Sequence, residues 1–218
     1  MNLTKLKTYI RYNYGYILLG IILITVCILS FKQGYYLLSN DNYSPELNSS
    51  LTLERSIVSP AWRSYRVLGF ASESEQADIF RTGILGFMDI FLEKSSLGQI
   101  YSLLSLVVGV LSIAILTVLF VRSYLTTKYS SLIFLTSGII YLTSLWTAWV
   151  FNFNMMPYIT QYGFLPLLLL SIYLLKTYSI KKYIFLFIAS VLYTATSVIA
   201  TLFFVNIVLI IFFFIYMS

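Results

Sequence analysis

The sequence predicts an all-α integral membrane protein with about six transmembrane helices and a helical, membrane-surface loop between the first two. Hydrophobic residues make up 59% of the 218 residues and charged residues only 10%, against roughly 25% charged residues in a soluble domain. Apolar stretches that are long enough to cross a bilayer recur along the chain, and the mean hydropathy is +0.87. All the acidic residues fall in one segment, residues 39–99.

Four apolar stretches are interpreted as single spans, because each holds about 20 or more residues with little or no charge. They cover residues 14–38, 100–121, 131–151 and 157–175. The first stretch follows three basic residues, as a signal peptide would. It is too long for one, however, and no small-residue cleavage site follows it, so we expect an uncleaved helix.

Residues 183–217 carry no charge and exceed the length of one span. A weakly polar patch, TATSVIAT at 194–201, lies in the middle of this stretch. We therefore expect two spans joined by a tight turn or a re-entrant break, and one long tilted helix is the alternative. We expect residues 1–218 to form a single transmembrane domain, and the abrupt end at FFFIYMS suggests the N-terminal part of a larger module.

The basic residues indicate how the chain is inserted, since Lys and Arg accumulate in cytoplasmic segments. With the N-terminus inside, the cytoplasmic segments contain Lys5, Lys7, Arg11, Arg122, Lys128, Lys176, Lys181 and Lys182. The short segments 152–156 and 194–201 on the other side are uncharged. We therefore expect a protein of the cytoplasmic (plasma) membrane whose loop 39–99 lies outside.

Several classes of function are excluded by composition. The chain has no histidine and a single cysteine, Cys27, so the usual zinc and haem sites and histidine-based nucleophilic catalysis are excluded. Despite a pI of about 9.3, the basic residues lie beside the spans and form no stripe, so no nucleic-acid partner is expected. No cofactor is expected either; a carboxylate pair can hold a divalent ion loosely, but nothing in the sequence requires one.

The outer loop is too long for a simple connector and carries two helix signatures. Ser59, Pro60 and Gly69 have the positions of a cap, a first helical residue and a stop, which predicts a short helix. Ser72 and Glu75 have the spacing of a capping box and predict a second helix over 73–92.

This second helix is predicted to be amphipathic and to lie along the membrane. Its apolar face comprises Ala77, Phe80, Ile84, Phe87, Met88 and Phe91. The polar side comprises Asp78, Arg81 and Asp89. A small soluble cap that packs on itself is the alternative.

Two arginines in the loop are candidate ligands for a phosphate or pyrophosphate. Arg63 and Arg66 are three residues apart and share one face of the first short helix. Guanidinium groups suit phosphate geometry, although contacts with lipid headgroups or with loop carboxylates explain the same pattern.

The first carboxylate of the chain, Asp41, directly follows the first span. At this junction it can meet a lipid-linked substrate from the membrane and a second substrate from water, so it is a candidate general base for an acceptor hydroxyl. A plain turn is the alternative, because Asn40, Asn42, Ser44 and Pro45 all favour turns.

Polar and aromatic residues also gather near the outer ends of the third and fourth predicted spans. Asn152, Asn154 and Gln161 lie there with Trp146, Trp149 and Tyr158. They are candidates for a sugar-binding cleft, and interfacial anchoring is the alternative. Asn206 in the last span is a candidate for an interhelical hydrogen bond.

The motifs NDNYSPELN and SPAWRSYRVLGFASESEQADIFR, within residues 39–81, resemble the first outer loop of GT-C superfamily glycosyltransferases, notably of arabinofuranosyltransferase-like and YfhO-like bacterial membrane proteins. The resemblance implies a polyprenyl-phosphate-linked sugar as donor and an aspartate of this loop as base, which corresponds to Asp41. Many members carry paired acids, and here Asn42 follows Asp41, so Glu46 is the nearest second acid.

The leading hypothesis is thus a membrane glycosyltransferase that transfers a sugar from a polyprenyl-phosphate donor to a cell-envelope glycan or lipid acceptor on the outer face. The alternative is a non-catalytic membrane component for lipid or glycan translocation or assembly. Ion coupling is disfavoured, because Lys32 is the only ionisable residue within a predicted span and lies near its outer end. Membrane lipids are the remaining expected partners.

Overall fold

The computed structural model describes residues 3–35, 57, 79–121, 129–153, 156–175, 179–194, 196 and 200–217. Within them the chain forms helices and no strands, which confirms the predicted all-α class. In chain order the helices are α1 (Leu3–Ser30), α2 (Ile79–Met88), α3 (Lys94–Val121), α4 (Ser130–Leu142), α5 (Leu145–Phe153), α6 (Met156–Leu174), α7 (Ile180–Tyr193) and α8 (Ala200–Met217).

Three of these helices are long and apolar enough to cross a membrane: α1 over Asn13–Ser30, α3 over its whole length and α6 over Pro157–Leu174. Helices α4 and α5 taken together are also long and apolar enough to cross a membrane, although the chain bends by 47° between them. The described helices therefore provide three spans, or four if the bent pair is one span. The described apolar part of α8, Phe204–Ile215, is shorter than a span.

The directions of the helices follow from hydrogen bonds near their ends. Helices α3 and α6 run parallel, since Tyr101 Oη lies 2.8 Å from Thr160 Oγ1 near their starts and Tyr173 donates to the Leu119 carbonyl near their ends. Helices α1 and α4 also run parallel to each other, because Gly15 on α1 donates to Ser131 on α4 and, further along both helices, Leu19 lies against Gly138.

The α1–α4 pair is antiparallel to the α3–α6 pair. Tyr141 in the last turn of α4 donates to the carbonyl of Tyr162 near the start of α6. Gln99 near the start of α3 is hydrogen-bonded to Lys32, just beyond the end of α1. We call the end of the bundle at which α1 stops and α3 starts the first-loop end.

Close backbone packing between α3 and α6 forms the centre of the bundle. A Cβ atom on Gly109 would lie 2.6 Å from the Tyr162 carbonyl oxygen, and one on Gly163 would lie 2.7 Å from the Ser105 carbonyl oxygen. Hydrocarbon tails are as apolar as leucine, so membrane helices associate largely through such close contacts between small residues. Glycine at both positions therefore lets these helices touch along their backbones.

The first span ends earlier than predicted. Helix α1 stops at Ser30, whereas the apolar pattern extends to residue 38. The chain then turns over residues 31–35, where Gly34 adopts a φ of +79°, a conformation that glycine tolerates best. Side-chain hydrogen bonds from Gln99 hold this turn, so a tertiary contact overrides the hydrophobic pattern.

Two other predicted stretches are interrupted. The predicted third span is broken at Thr143 and Ser144 into α4 and α5. The last stretch contains two helices, α7 and α8, and not one long helix, although the described part of neither is long enough to count as a span. Asn206 on α8 is hydrogen-bonded to Gln161 on α6, so α8 folds back against the bundle.

Candidate functional site

Three aromatic rings meet at the first-loop end of the bundle. The Trp146 and Trp149 rings are stacked, with centroids 5.1 Å apart and planes 18° apart. Tyr158 stands edge-on to Trp149 at 5.2 Å and 89°. Residues three apart share a helix face, so α5 presents both indoles to the start of α6. We call Trp146, Trp149 and Tyr158 the aromatic cluster; Trp146 is 42% exposed, so part of its ring is accessible to a ligand or to the membrane surface.

The break between α4 and α5 lies beside this cluster and is held by a polar network. Thr147 Oγ1 donates to the Tyr141 carbonyl at 2.6 Å and lies 3.2 Å from the Tyr162 hydroxyl. Ser144 Oγ is 2.9 Å from Thr147 Oγ1 and accepts from the Thr147 N–H at 3.2 Å. These bonds satisfy backbone groups that lose their helical partners at the bend. Specific hydrogen bonds therefore stabilise the break.

A proline on α6 accounts for the central hydrogen bond of this network. Pro166 lies inside α6 and has no N–H, so it cannot donate to the carbonyl of Tyr162 four residues earlier. The Tyr141 hydroxyl donates to that carbonyl at 2.9 Å. The two tyrosine rings are stacked with centroids 4.5 Å apart. A side chain of α4 thereby replaces the backbone donor that α6 lacks.

The sequence made Gln161 a candidate for a sugar-binding cleft. The structure instead buries it between two helices. Its side chain is 8% exposed, and its Nε2 donates to Oδ1 of Asn206 at 2.8 Å. Asn206 is 1% exposed. An amide in hydrocarbon requires a partner, which is why a residue with the polarity of a surface ligand is drawn between two helices. The predicted interhelical role of Asn206 is confirmed.

Gln99 binds the backbone at the start of the first loop. Its Oε1 accepts from the Lys32 N–H at 2.8 Å, and its Nε2 donates to the Lys32 carbonyl at 2.9 Å. The same Nε2 also donates to the Tyr35 carbonyl. One buried amide thus holds the turn that follows α1.

Helix α2 does not pack its most apolar face against the bundle, as an amphipathic helix of a soluble protein would. Arg81, Thr82 and Leu85 are buried, whereas Phe80 and Phe87 are exposed. Arg81 was predicted on the polar side of this helix, away from its apolar face, but it packs inward at 8% exposure. The helix also ends at Met88, before the predicted residue 92, since residues 89–92 turn towards α3.

The predicted site residues are only partly described. Asp41, Glu46, Arg63, Arg66 and Asn154 lie outside the described residues. Asn152 is exposed on α5, one turn beyond Trp149, so the structure brings it next to the aromatic cluster. Among the described residues there is no group of three or more His, Cys, Asp or Glu side chains that could hold a metal ion.

Sequence reasoning missed Gln99, Tyr141 and Thr147. The position of Gln99 could have indicated its role, because a glutamine in the first turns of an apolar helix needs a hydrogen-bond partner. Pro166 is a second such indication, since a proline within a predicted span frees a carbonyl that some neighbour must satisfy. Neither Gln99 nor Pro166 indicates in the sequence which residue is the partner, because that depends on how the helices pack.

Comparison with known proteins adds no relative. No protein-family model matches the chain, and neither curated proteins nor solved structures give a significant match.

Proposed function

We propose that the protein is a GT-C-type membrane glycosyltransferase that transfers a sugar from a polyprenyl-phosphate donor to a glycan or lipid acceptor of the cell envelope. The observation that carries the proposal is the aromatic cluster with the exposed Asn152 at the first-loop end. The C–H groups of a sugar ring pack on the electron-rich face of an aromatic ring. An exposed amide beside that face supplies hydrogen bonds to sugar hydroxyls.

We also propose six membrane crossings with the first-loop end outside. The helix directions support this, because α1 and α4 run towards that end, whereas α3, α6 and α8 run away from it. Helices α3 and α6 end at the opposite end, and the sequence has basic residues after both of them, as the positive-inside rule requires of a cytoplasmic side. The sugar transfer then takes place on the outer face.

In the proposed reaction Asp41 takes the proton of an acceptor hydroxyl. The hydroxyl oxygen attacks the anomeric carbon of the donor sugar and forms the new glycosidic bond. The bond between the anomeric carbon and the phosphate oxygen breaks, and polyprenyl phosphate leaves with its electron pair. Arg63 and Arg66 stabilise the charge on the departing phosphate, and Glu46 is the second acid of the site.

The test is an assay of sugar transfer in membranes that contain the product of the complete reading frame, supplied with polyprenyl-phosphate-linked radioactive sugars. Loss of a positioned base typically costs about 10²- to 10⁴-fold in rate. Asp41→Asn keeps the size of the side chain and removes the base, so we expect a loss in that range. Asn42→Ala is the matched control and should be far milder. Transfer by Asp41→Asn at the parental rate would remove Asp41 from the mechanism.

A second candidate is a non-catalytic component that moves lipid-linked glycans across the membrane. The break between α4 and α5 favours it, because discontinuous helices often form the central sites of transporters. In that case Asp41→Asn should leave function intact, whereas Thr147→Val, which removes the hydrogen bonds at the break, should impair it. Translocation of a fluorescent lipid-linked sugar in proteoliposomes distinguishes the two candidates.

A further inference from the structure

Most of the basic residues belong to segments that start or end at one end of the bundle. Residues 32–99 contain eight acidic and six basic residues, whereas the rest of the chain contains eight basic residues and none that is acidic. These eight fall in the first turns of α1, between α3 and α4, between α6 and α7, and in the first turn of α7. Helices α1 and α4 start, and α3 and α6 end, opposite the first-loop end. We call this the basic end; the segments that carry its charge contain no acidic residue to balance it.

Helix α7 also starts at the basic end. Helix α6 ends there at Leu174, and α7 begins at Ile180 and packs against α6. From Leu175 to Ser179 the chain can extend by no more than about 14 Å. This is less than half of the ~30 Å thickness of the hydrocarbon core, so Ser179 lies in the same half of the membrane as the end of α6. The first turn of α7 therefore belongs to the basic end.

Helix α7 turns an apolar stripe away from the bundle. The residues of the stripe are spaced three and four apart and are 45–69% exposed: Ile180, Tyr183, Ile184, Phe187 and Ile188. Ala189 and Tyr193, on the opposite side of the helix, are buried. An exposed apolar face on a membrane helix lies against acyl chains, because hydrocarbon surrounds the bundle at that depth.

Lys181 adds a positive charge at the edge of this stripe. At about 100° per residue, it lies within about 60° of both Ile184 and Ile188 around the helix axis, and it is exposed. Lys182 lies further from the stripe, is less exposed and takes part in an interaction within the chain. Tyr183, in the same turn, has the amphipathic ring that favours the depth of the lipid headgroups. The turn thus combines a cation, an aromatic ring and a surface for acyl chains.

We propose that the start of α7 binds an anionic phospholipid, whose headgroup lies at Lys181 and whose acyl chains cover the stripe. The headgroup phosphate supplies the negative charge that the segments of the basic end lack. A positive charge in the first turn also opposes the helix macrodipole, so an anion beside Lys181 relieves an unfavourable interaction. A soluble anion would meet the lysine only and leave the stripe uncovered, whereas a phospholipid matches both. This inference does not depend on sugar transfer.

The test measures which lipid lies beside α7 in the full chain, reconstituted into vesicles of phosphatidylcholine with a minor share of phosphatidylglycerol. A bimane fluorophore is attached to Ile184→Cys in a Cys27→Ser background, and a quenching doxyl group is carried on an acyl chain of either lipid. A lysine near the membrane surface strengthens contact with anionic lipid about fivefold. We expect phosphatidylglycerol to be enriched over phosphatidylcholine by about this factor. Lys181→Gln should remove most of the enrichment, and Lys181→Arg should retain it.

Ile28→Cys is the matched control site at the other end of the bundle. Ile28 is 69% exposed on α1, and the exposed Lys32 follows four residues later, just beyond the end of the helix. Because the acidic residues all fall in the segment that follows, we expect little enrichment of phosphatidylglycerol there. Both leaflets have the same composition, so the comparison does not depend on the direction of insertion. Equal enrichment at the two sites would overturn the proposal.

Inorganic phosphate tests whether a soluble anion occupies the same place. It should lower the enrichment at Ile184→Cys no more than chloride at equal ionic strength, because salt only screens the contact. Specific loss in phosphate would identify a site for soluble anions and overturn the lipid assignment. Loss of enrichment in Lys182→Gln but not in Lys181→Gln would place the headgroup away from the stripe and also contradict the proposal. Enrichment in a protein without sugar-transfer activity would refute the proposed function and leave the lipid site standing.

Discussion

The hydroxyl of Tyr141 lies 2.9 Å from the carbonyl oxygen of Tyr162 and donates a hydrogen bond to it. This carbonyl belongs to the residue four positions before Pro166, so it has lost its helical donor. The bond joins α4 to α6 at the level of the helix break. One tyrosine therefore compensates for a proline on a neighbouring helix and, through its stacked ring, fixes the position of the break.

Tyr141→Phe should destabilise the protein, because it leaves the Tyr162 carbonyl buried without a donor, at a cost of about 1–3 kcal/mol in the free energy of unfolding. In a Pro166→Ala background the backbone N–H of residue 166 returns, so the same substitution should cost much less. A double-mutant cycle measured by chemical unfolding in micelles isolates this coupling. Strict additivity of the two substitutions would contradict the compensation.

Gly109→Ala should weaken the packing of α3 on α6, because the new Cβ would meet the Tyr162 carbonyl oxygen at 2.6 Å. Overpacking of this kind typically costs about 1–3 kcal/mol. Gly20→Ala is the matched control: it also lies within a helix, but an added Cβ there meets nothing within 4 Å. Thermal unfolding in detergent should show a lower midpoint for Gly109→Ala and an unchanged or higher one for Gly20→Ala.

Gln99→Leu should release the turn at residues 31–35, because it removes the hydrogen bonds to Lys32 and Tyr35. Hydrogen–deuterium exchange of a peptide that covers this turn should become faster, while exchange in α6 stays unchanged. Gln99→Glu keeps the acceptor for the Lys32 N–H but loses the donations to the Lys32 and Tyr35 carbonyls. Its exchange rate at the turn should therefore lie between those of the parent protein and Gln99→Leu. Unchanged exchange in Gln99→Leu would show that packing alone holds the turn.

Helix α2 should lie on the membrane with Phe80 and Phe87 towards the lipid. Both side chains are exposed, at 47% and 64%, whereas Thr82 and Leu85 face the bundle. Nitroxide labels at Phe80 and Phe87 should collide with oxygen, which concentrates in lipid, more often than with a water-soluble nickel complex. The reverse ratio would favour a soluble cap that leaves the membrane.

The orientation of the chain can be checked with single cysteines in the Cys27→Ser background. Ser49→Cys should react with an impermeant thiol reagent added outside, and Thr127→Cys should not. This follows from the placement of all the acidic residues in 39–99 and of the basic clusters on the other side. Labelling of Thr127→Cys alone from outside would mean that the model of insertion is inverted.

The sequence by itself determined the class of protein and the approximate positions of its helices. Long uncharged stretches can satisfy their backbone groups in a membrane only as helices, so composition and length were sufficient for α1, α3 and α6. The separation of α7 from α8 was also predictable, because the patch at 194–201 interrupts the apolar pattern. Proximity of Asn152 to the two tryptophans was predictable as well, since helix periodicity alone places them together.

Only the tertiary structure decided where polar side chains find their partners. Gln161, a candidate for the sugar-binding cleft, is bonded to Asn206, and Arg81, predicted on the polar side of its helix, is buried. The end of α1 at Ser30 depends on Gln99, 67 residues after Lys32, and the break in the third predicted span depends on Tyr162 of another helix. A hydrophobic pattern shows how apolar each residue is, but it does not show which helix packs against that residue. The partner of a buried polar group is therefore known only from the packing of the helices.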